Sequence, residues 1–374
     1  MAAPRSPWAE TKVMRGRVMR VIAHDPLPID GNGNRLPLPP DFVMGVGGAS
    51  RTLLDLTPSR HVSRALDLGC GSGVQTLFLN ADRIIGVDID ERALQAANAS
   101  CHLSGFRQVE ANVWRNGDSM IELREGSFLD PVEGQRFDLI VANPPFVIEG
   151  AGHVHRDSPL AGDELVRELM AAIPQHLNVG GRAILLGCWL HTSSMDWEER
   201  LLSWVPAGVS AWIAQRELLD LDAYVDVWMQ DAGLDAAEQL KWLARLEQLD
   251  AEAIGFGWIV LERSRRVWTV AEDVSDAPRT PNGEEVERQL AAFESEPTAV
   301  ELLDAHWEFA DAHWRGGLML NPFEALLLER LRTGDTLAEA VDAVADSQSV
   351  EAGDLLAAGL LVTRELVRLG YLTA

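Results

Sequence analysis

Between positions 64 and 262 the chain alternates short, continuous apolar runs with amphipathic stretches. Strands are predicted at Ala65–Leu68, Ile84–Val87, Phe137–Ala142, Ala183–Gly187, Val209–Ile213 and Ile254–Leu261. Helices are predicted at Glu91–Leu103, Asp163–His176, Met195–Ser203 and Ala236–Leu249. Apolar strands separated by helices imply a parallel sheet covered on both faces. Val109–Leu123 has room for an extra strand or hairpin before a strand at Met120–Leu123. Upstream lie a candidate strand at Arg17–Ile22, a breaker-rich stretch at Asp25–Pro40, and a short helix at Ser50–Leu56 with Ser50 as its N-cap. The acidic, proline-punctuated segment Ala271–Pro297 reads as a linker. Beyond it the pattern is helical at Pro322–Leu331, Leu337–Ala345 and Val350–Leu369, compatible with a winged-helix-like unit. The expected organisation is an N-terminal extension (1–45), an α/β domain (46–272) and a separable C-terminal helical domain (273–374).

Bulk properties narrow the partners. The net charge of −25 disfavours broad binding to a phosphate backbone, although it leaves a local basic patch open. The three cysteines, Cys70, Cys101 and Cys188, form no CxxC pair, so neither a disulfide framework nor a zinc site is expected. No apolar run approaches the roughly 18 residues of a membrane span. The basic N-terminus (Arg5, Lys12, Arg15, Arg17, Arg20) is followed by no apolar segment, so a secretory signal is not expected and a cytoplasmic location is. Eight of the twelve tryptophans fall between Trp189 and Trp268, within amphipathic patterns that suit core packing better than an aromatic pocket.

Two motifs carry the chemistry. Ala65-Leu66-Asp67-Leu68-Gly69-Cys70-Gly71-Ser72-Gly73 is a strand running into a glycine-rich turn, which lets backbone approach a ligand closely. Asp88 ends the next strand 21 residues after Asp67, where a carboxylate can accept hydrogen bonds from ribose hydroxyls. The second motif, Asn143-Pro144-Pro145-Phe146, follows the strand Phe137–Ala142 and lies 76 positions after Asp67. Two prolines fix φ and remove two backbone donors. The Asn143 side-chain oxygen and the Pro144 carbonyl can then accept from one amino group on a planar, conjugated system, with Phe146 stacking on it. A dinucleotide site is the rival for the first motif, but it prefers G-x-G-x-x-G and has no use for the Asn-Pro-Pro-Phe loop.

In this order the motifs resemble the class I S-adenosyl-L-methionine (SAM)-dependent N-methyltransferases. They are similar to the release-factor glutamine methyltransferases and the small-domain rRNA guanine methyltransferases, over about residues 42–262. The overall pattern looks closest to actinobacterial methyltransferases that join this core to a C-terminal domain. The resemblance implies a Rossmann-like seven-stranded sheet with helices on both faces and SAM as cofactor. By resemblance, Gly47 and Ser50 belong to a segment closing over the methionine end. Asp67, Gly69, Cys70, Gly71, Asp88 and Ile89 would hold the cofactor, together with Ser127, Phe128 and Asn143. Ser127 stands where related enzymes often carry an adenine-binding Asp. Asn143, Pro144 and Phe146 would be the catalytic loop. Pro145, His155, Arg156 and Asp157 are candidates for acceptor contact, and Asp163 is placed to cap or charge the next helix. The pair His153 and His155 lacks a ligand set, so no metal is expected. Three departures stand out. Phe146 replaces the usual Tyr of the glutamine enzymes, their helical N-terminal domain has no counterpart, and neither has the tail after Asp273. The expected acceptor is a protein glutamine-type amide or a small metabolite. An RNA base, such as a guanine amino group, is the alternative, and a non-catalytic SAM-binding module is the rival outside enzymology.

Overall fold

In the computed structural model the described residues are 8–33, 36, 38–39, 41–149, 158, 160–232, 236–264, 266–295, 299–309, 313–315, 320–348 and 351–373. The chain divides into two compact units, residues 1–275 and 276–374.

The first unit opens with an antiparallel pair, β1 (Ala9–Arg15) and β2 (Val18–His24). Helix α1 (Gly48–Leu56) leads into β3 (Val62–Leu68), β4 (Ala81–Asp88), α2 (Glu91–Leu103), β5 (Arg107–Glu110), β6 (Val113–Asn116) and β7 (Ser119–Glu125). Then come β8 (Phe137–Ala142), α3 (Glu164–Ala172), β9 (Leu177–Thr192), α4 (Trp197–Leu202), β10 (Ser210–Asp220), α5 (Leu221–Ala232), α6 (Ala236–Gln248), β11 (Ala251–Glu262) and β12 (Thr269–Asp273). One ten-stranded sheet runs β12-β10-β11-β9-β8-β3-β4-β7-β6-β5.

Seven of these strands, β7-β4-β3-β8-β9-β11-β10, form the expected α/β core. Only β11 among the seven runs antiparallel to its neighbours, so the sheet is mixed rather than purely parallel. The extra strands sit at the two edges. The antiparallel ribbon β5–β6 occupies the room left between α2 and β7, and β12 pairs in parallel with β10. Leu66, Phe137, Ile140, Ala183, Leu185 and Ile259 are buried in the core with Leu165, Val166 and Met170 of α3. Trp189, Trp212, Trp242 and Trp258 are fully buried, in keeping with the packing role expected for the tryptophans.

Local chemistry explains the boundaries. Helix α2 starts where Asp90 accepts from the backbone N–H of Arg92 as its N-cap. Helix α1 starts earlier than expected: Gly47 is its N-cap and Ser50 lies inside the helix. The Ser50 carbonyl instead accepts from Gln75 Nε2 (2.8 Å). Among the described residues the hairpin has no strand partner at its β2 edge, and α2 supplies the missing groups. Ser100 Oγ accepts from Ala23 N (2.8 Å) and Ser104 Oγ from Val21 N (2.9 Å), which covers the edge.

The second unit holds α7 (Gly283–Glu294), α8 (Ala299–Asp304), β13 (Glu308–Phe309), α9 (Pro322–Arg332), α10 (Leu337–Gln348), α11 (Ala352–Arg368) and β14 (Leu372–Thr373). Strands β13 and β14 pair antiparallel beside a core of Leu327, Leu331, Leu337, Val341 and Leu366. The segment read as a linker is largely ordered: β12 occupies its start, and α7 carries a full capping box of Asn282 and Glu285. Among the described residues no helix is long and apolar enough to cross a membrane.

Candidate active site

Neighbouring strands bring the two motifs to one level. Leu68 of β3 pairs with Val87 of β4 on one side and with Ala142 of β8 on the other, and Asp88 pairs with Glu125 of β7. The chain therefore leaves these four strands side by side, at Gly69, Ile89, Gly126 and Asn143. The boundary between β3 and β8 is where strand order reverses, the place where open α/β sheets bind ligands. A cleft of about 210 Å3 opens there. Ser50, Gly69, Cys70, Gly71, Asp88, Ile89, Ser127, Phe128, Asn143 and Pro145 all line it.

The glycine turn is shaped for a ligand. Gly69 and Gly71 have φ of +72° and +52°, in the left-handed region that side chains disfavour, and a Cβ at either would project into open space. Asp88 fixes the turn: Oδ2 accepts from Gly71 N (2.7 Å) and Oδ1 from Asp90 N (3.0 Å). Each carboxylate oxygen keeps lone-pair capacity for a hydroxyl. Burial pushes the Asp88 carboxyl above its ordinary value, while these two N–H donors pull it back. Phe128 beside it holds a left-handed φ of +42°, uncommon for an aromatic residue. The Asn143 side chain is half-buried and accepts and donates no hydrogen bond among the described residues, so its amide is available to a ligand. These features suit SAM: bare glycine backbone, a carboxylate at the end of β4, and apolar Val87, Ile89 and Phe42 along the wall.

Several expected residues lie elsewhere. Asp67 is buried (1% exposed) and does not line the cleft; its Oδ2 accepts from Thr76 N (2.8 Å) and Thr76 Oγ1 (2.6 Å), locking the turn from behind. Gly47 also stands outside the lining, as do Pro144 and Phe146. Pro144 is buried. The Phe146 ring meets Phe256 edge-on at 6.5 Å and packs on an apolar cluster containing Tyr224 and Trp242, while its carbonyl accepts from Cys188 Sγ (2.7 Å). Asp163 occupies the N-cap position of α3 without capping it. Its carboxylate instead takes Arg200 bidentately (2.7 Å each) and Leu190 N (2.8 Å), a buried ion pair invisible to local spacing. His153, His155, Arg156 and Asp157 lie outside the described residues. Among the described residues no group of His, Cys, Asp or Glu is placed to hold a metal, and all three cysteines are free and buried.

Sequence reading also missed parts of the cleft. Phe42, Val43 and Met44 reach it from the irregular lead-in to α1, and Gln75 and Gly126 line it too. Only Gly126 carried a signal, as the residue between a strand end and Ser127. The segment after Asn143 is held by the two helices inserted between β10 and β11. Ile148 N donates to Tyr224 Oη (2.7 Å), and the Ile148 carbonyl accepts from Tyr224 Oη (3.1 Å) and Trp242 Nε1 (3.0 Å).

Two residues here give solution predictions. Asp88→Ala is expected to weaken SAM binding by roughly 1–3 kcal/mol, since it deletes charge-assisted acceptors. Titration calorimetry checks this, and unchanged affinity removes Asp88 from the site. Asp67 predicts a pH effect. Burial, reinforced by Asp88, pushes its carboxyl from 3.8 to about 7 despite the two Thr76 bonds. The folded state then binds this proton more tightly than the unfolded chain. Its contribution to stability is complete below pH 3.8 and is lost as pH rises through about 7. Asp67→Asn removes that titration, so its melting temperature should improve relative to the unaltered protein between pH 4 and pH 8. A difference between the two that does not change with pH rules the raised value out.

Residues 44–188 match the family model described as methyltransferase small domain. Among curated relatives, the chain is 33% identical over 143 residues to the release factor glutamine methyltransferase of Xylella fastidiosa, covering 34% of this chain and 47% of the relative. It is 32% identical over 108 residues to the tRNA1(Val) (adenine(37)-N6)-methyltransferase of Haemophilus influenzae, covering 27% and 42%. The chain spans about half the length of the curated relatives it matches. Among solved structures, it is similar to the Thermus thermophilus 16S rRNA N2 G1207 methyltransferase in complex with AdoMet and guanosine, at 20% identity and TM-score 0.37, over 56% of this chain and 49% of that one. Residues 44–188, which carry both motifs, are therefore similar to the methyltransferase small domain, in keeping with the resemblance of the motifs to SAM-dependent methyltransferases.

Proposed function

We propose that the protein transfers a methyl group from SAM to the nitrogen of a planar amino or amide group. The observation that carries this reading is the placement of Asn143 and Pro145 in the same cleft as the Gly69–Gly71 turn and Asp88. When bound, SAM supplies an electrophilic methyl group on a sulfonium. Asp88 accepts from the ribose hydroxyls, and the glycine turn lets backbone lie against the cofactor. Asn143 Oδ1, which borders the cleft, accepts an N–H of the acceptor, which turns the nitrogen lone pair toward the methyl carbon. Orientation of this kind supplies most of the rate gain, and no strong general base is needed because the proton leaves after transfer.

The favoured acceptor is a protein glutamine-type amide or a small metabolite. The net charge of −25 supports it against a nucleic acid, and so does the name of the Xylella relative. The amino group of an RNA base is the second reading, supported by the adenine-N6 activity named for the Haemophilus relative. Both acceptors present the planar amino group that the Asn143 loop suits. Incubation with methyl-labelled SAM and a cell extract, fractionated into protein, RNA and small molecules, decides between them. Label in RNA alone overturns the favoured acceptor, and label in no fraction overturns the transfer reading.

A further inference from the structure

The same sheet carries a second cavity at its opposite edge. It has a volume of about 370 Å3 and lies at the amino ends of β4 and β7, where Ala81 and Ser119 border it. The strands separate it from the cofactor cleft by roughly 23 Å, the length of β4 at about 3.3 Å per residue. The chemistry of its wall differs from the rest of the molecule. Arg15 and Arg20 point into it from the inward face of the β1–β2 hairpin, with Asn80, Phe106, Asn116 and Ser119 completing the lining.

Both guanidiniums are half-buried, and their protein partners are neutral. Arg15 Nη2 donates to the Thr57 carbonyl, and Arg20 Nε to the Leu77 carbonyl at 3.0 Å. Arg20 also lies over the Phe106 ring at 5.1 Å. Among the described residues neither arginine forms an ion pair with a carboxylate. The acid that acts on Arg15 is Asp55, which is exposed and beyond ion-pair distance. Burial lowers both guanidinium pKa values, the mark of cations whose lost hydration is not replaced by a counter-charge. Their setting is unusual for this chain. Residues 9–20 carry four basic side chains against one acid, Glu10, whereas the whole protein has a net charge of −25.

We propose that this cavity binds the phosphate group of a small phosphorylated molecule. Two guanidiniums with unused N–H donors match a phosphate's oxygens, and such charge-assisted bonds are the strong ones. The Asn116 side chain, which makes no hydrogen bond among the described residues, adds a neutral donor. The concave shape and the volume of about 370 Å3 favour a small ligand. Binding a nucleic-acid backbone uses an open stripe of positive charge, whereas here the two arginines face into a pocket. The site is independent of the methyl-transfer reading, because none of its residues lines the cofactor cleft.

The test is titration calorimetry of the full chain with ribose 5-phosphate, ribose and inorganic phosphate, and with a single-stranded RNA oligonucleotide. Ribose 5-phosphate and inorganic phosphate are expected to bind and ribose is not. Two variants are compared. Arg20→Gln removes one cation. Asn116→Asp places a carboxylate in the pocket at almost unchanged volume, so it stands alone if Arg20→Gln does not fold. Each is expected to reduce phosphate affinity tenfold or more. Equal binding of ribose and ribose 5-phosphate overturns the proposal, as does phosphate affinity that Asn116→Asp leaves unchanged. RNA binding that Asn116→Asp abolishes, without any binding of ribose 5-phosphate, overturns it in favour of a nucleic-acid surface.

Discussion

Replacing Asn143 by alanine is expected to lower methyl transfer about 100-fold while SAM affinity changes by less than roughly 1 kcal/mol. The asymmetry follows from where Asn143 sits. It follows β8 directly, and the Leu68–Ala142 pairing sets it beside the start of the glycine turn. Its side chain is half-buried, borders the cleft, and holds no other part of the protein among the described residues. Truncation therefore leaves the turn, Asp88 and the strand ends in place and removes only the acceptor-orienting oxygen. A misplacement of ~1 Å at a reacting atom is enough for a loss of this size. The measurement pairs label transfer to the acceptor fraction with calorimetry of SAM binding. Full activity in the variant excludes an acceptor held by this loop. Loss of SAM binding shows instead that the loop is structural.

What could be read from sequence, and what could not, divides along physical lines. Strand β8 was predicted to the residue, because its five apolar positions, interrupted only by Asp138, are bounded by Arg136 and by Asn143-Pro144-Pro145. Helix α2 was predicted to the residue as well, at Glu91–Leu103. Helix α5 escaped because β10 runs straight into it at Leu221, with no glycine or proline to mark the change. Helix α7 escaped because Asn282-Gly283 reads as a turn, although Asn282 with Glu285 three residues later also spells a capping box. The site was legible where a residue's backbone position decides its role, as at Gly69, Gly71 and Asn143. It was not legible where side-chain direction decides. Asp67 is adjacent in sequence to the glycine turn, but its carboxylate points to Thr76 behind it. Phe146 adjoins the catalytic loop, but its ring is claimed by the cluster that α5 and α6 build with Phe256. Those helices were partly unseen, so their claim on the ring could not be anticipated.

The largest effect on stability is expected from the pair Asp163 and Arg200. Arg200→Ala should cost about 3–5 kcal/mol, because it strands a carboxylate that has left water. The Asp163 side chain is 4% exposed and that of Arg200 20%. The bidentate bond joins the start of α3 to α4, and Arg200 Nη1 also donates to the Leu190 carbonyl of β9 (3.2 Å) while its guanidinium covers Trp204 at 4.6 Å. Without Arg200, Asp163 keeps one donor, Leu190 N, for two buried oxygens. In a domain of this size each kcal/mol shifts the melting temperature by about 2–4 °C, so a drop of roughly 10 °C is expected. Two further variants separate charge from geometry. Arg200→Lys keeps the charge but not the planar fork, and should fall between the unaltered protein and Arg200→Ala. The double replacement Asp163→Leu with Arg200→Met removes both charges and should cost less than Arg200→Ala alone, since a buried pair gains little net stability over an apolar one. Urea unfolding of all three checks the order. If the double variant is the least stable, the ion pair is itself a net source of stability, and its worth is more than the avoidance of a stranded charge.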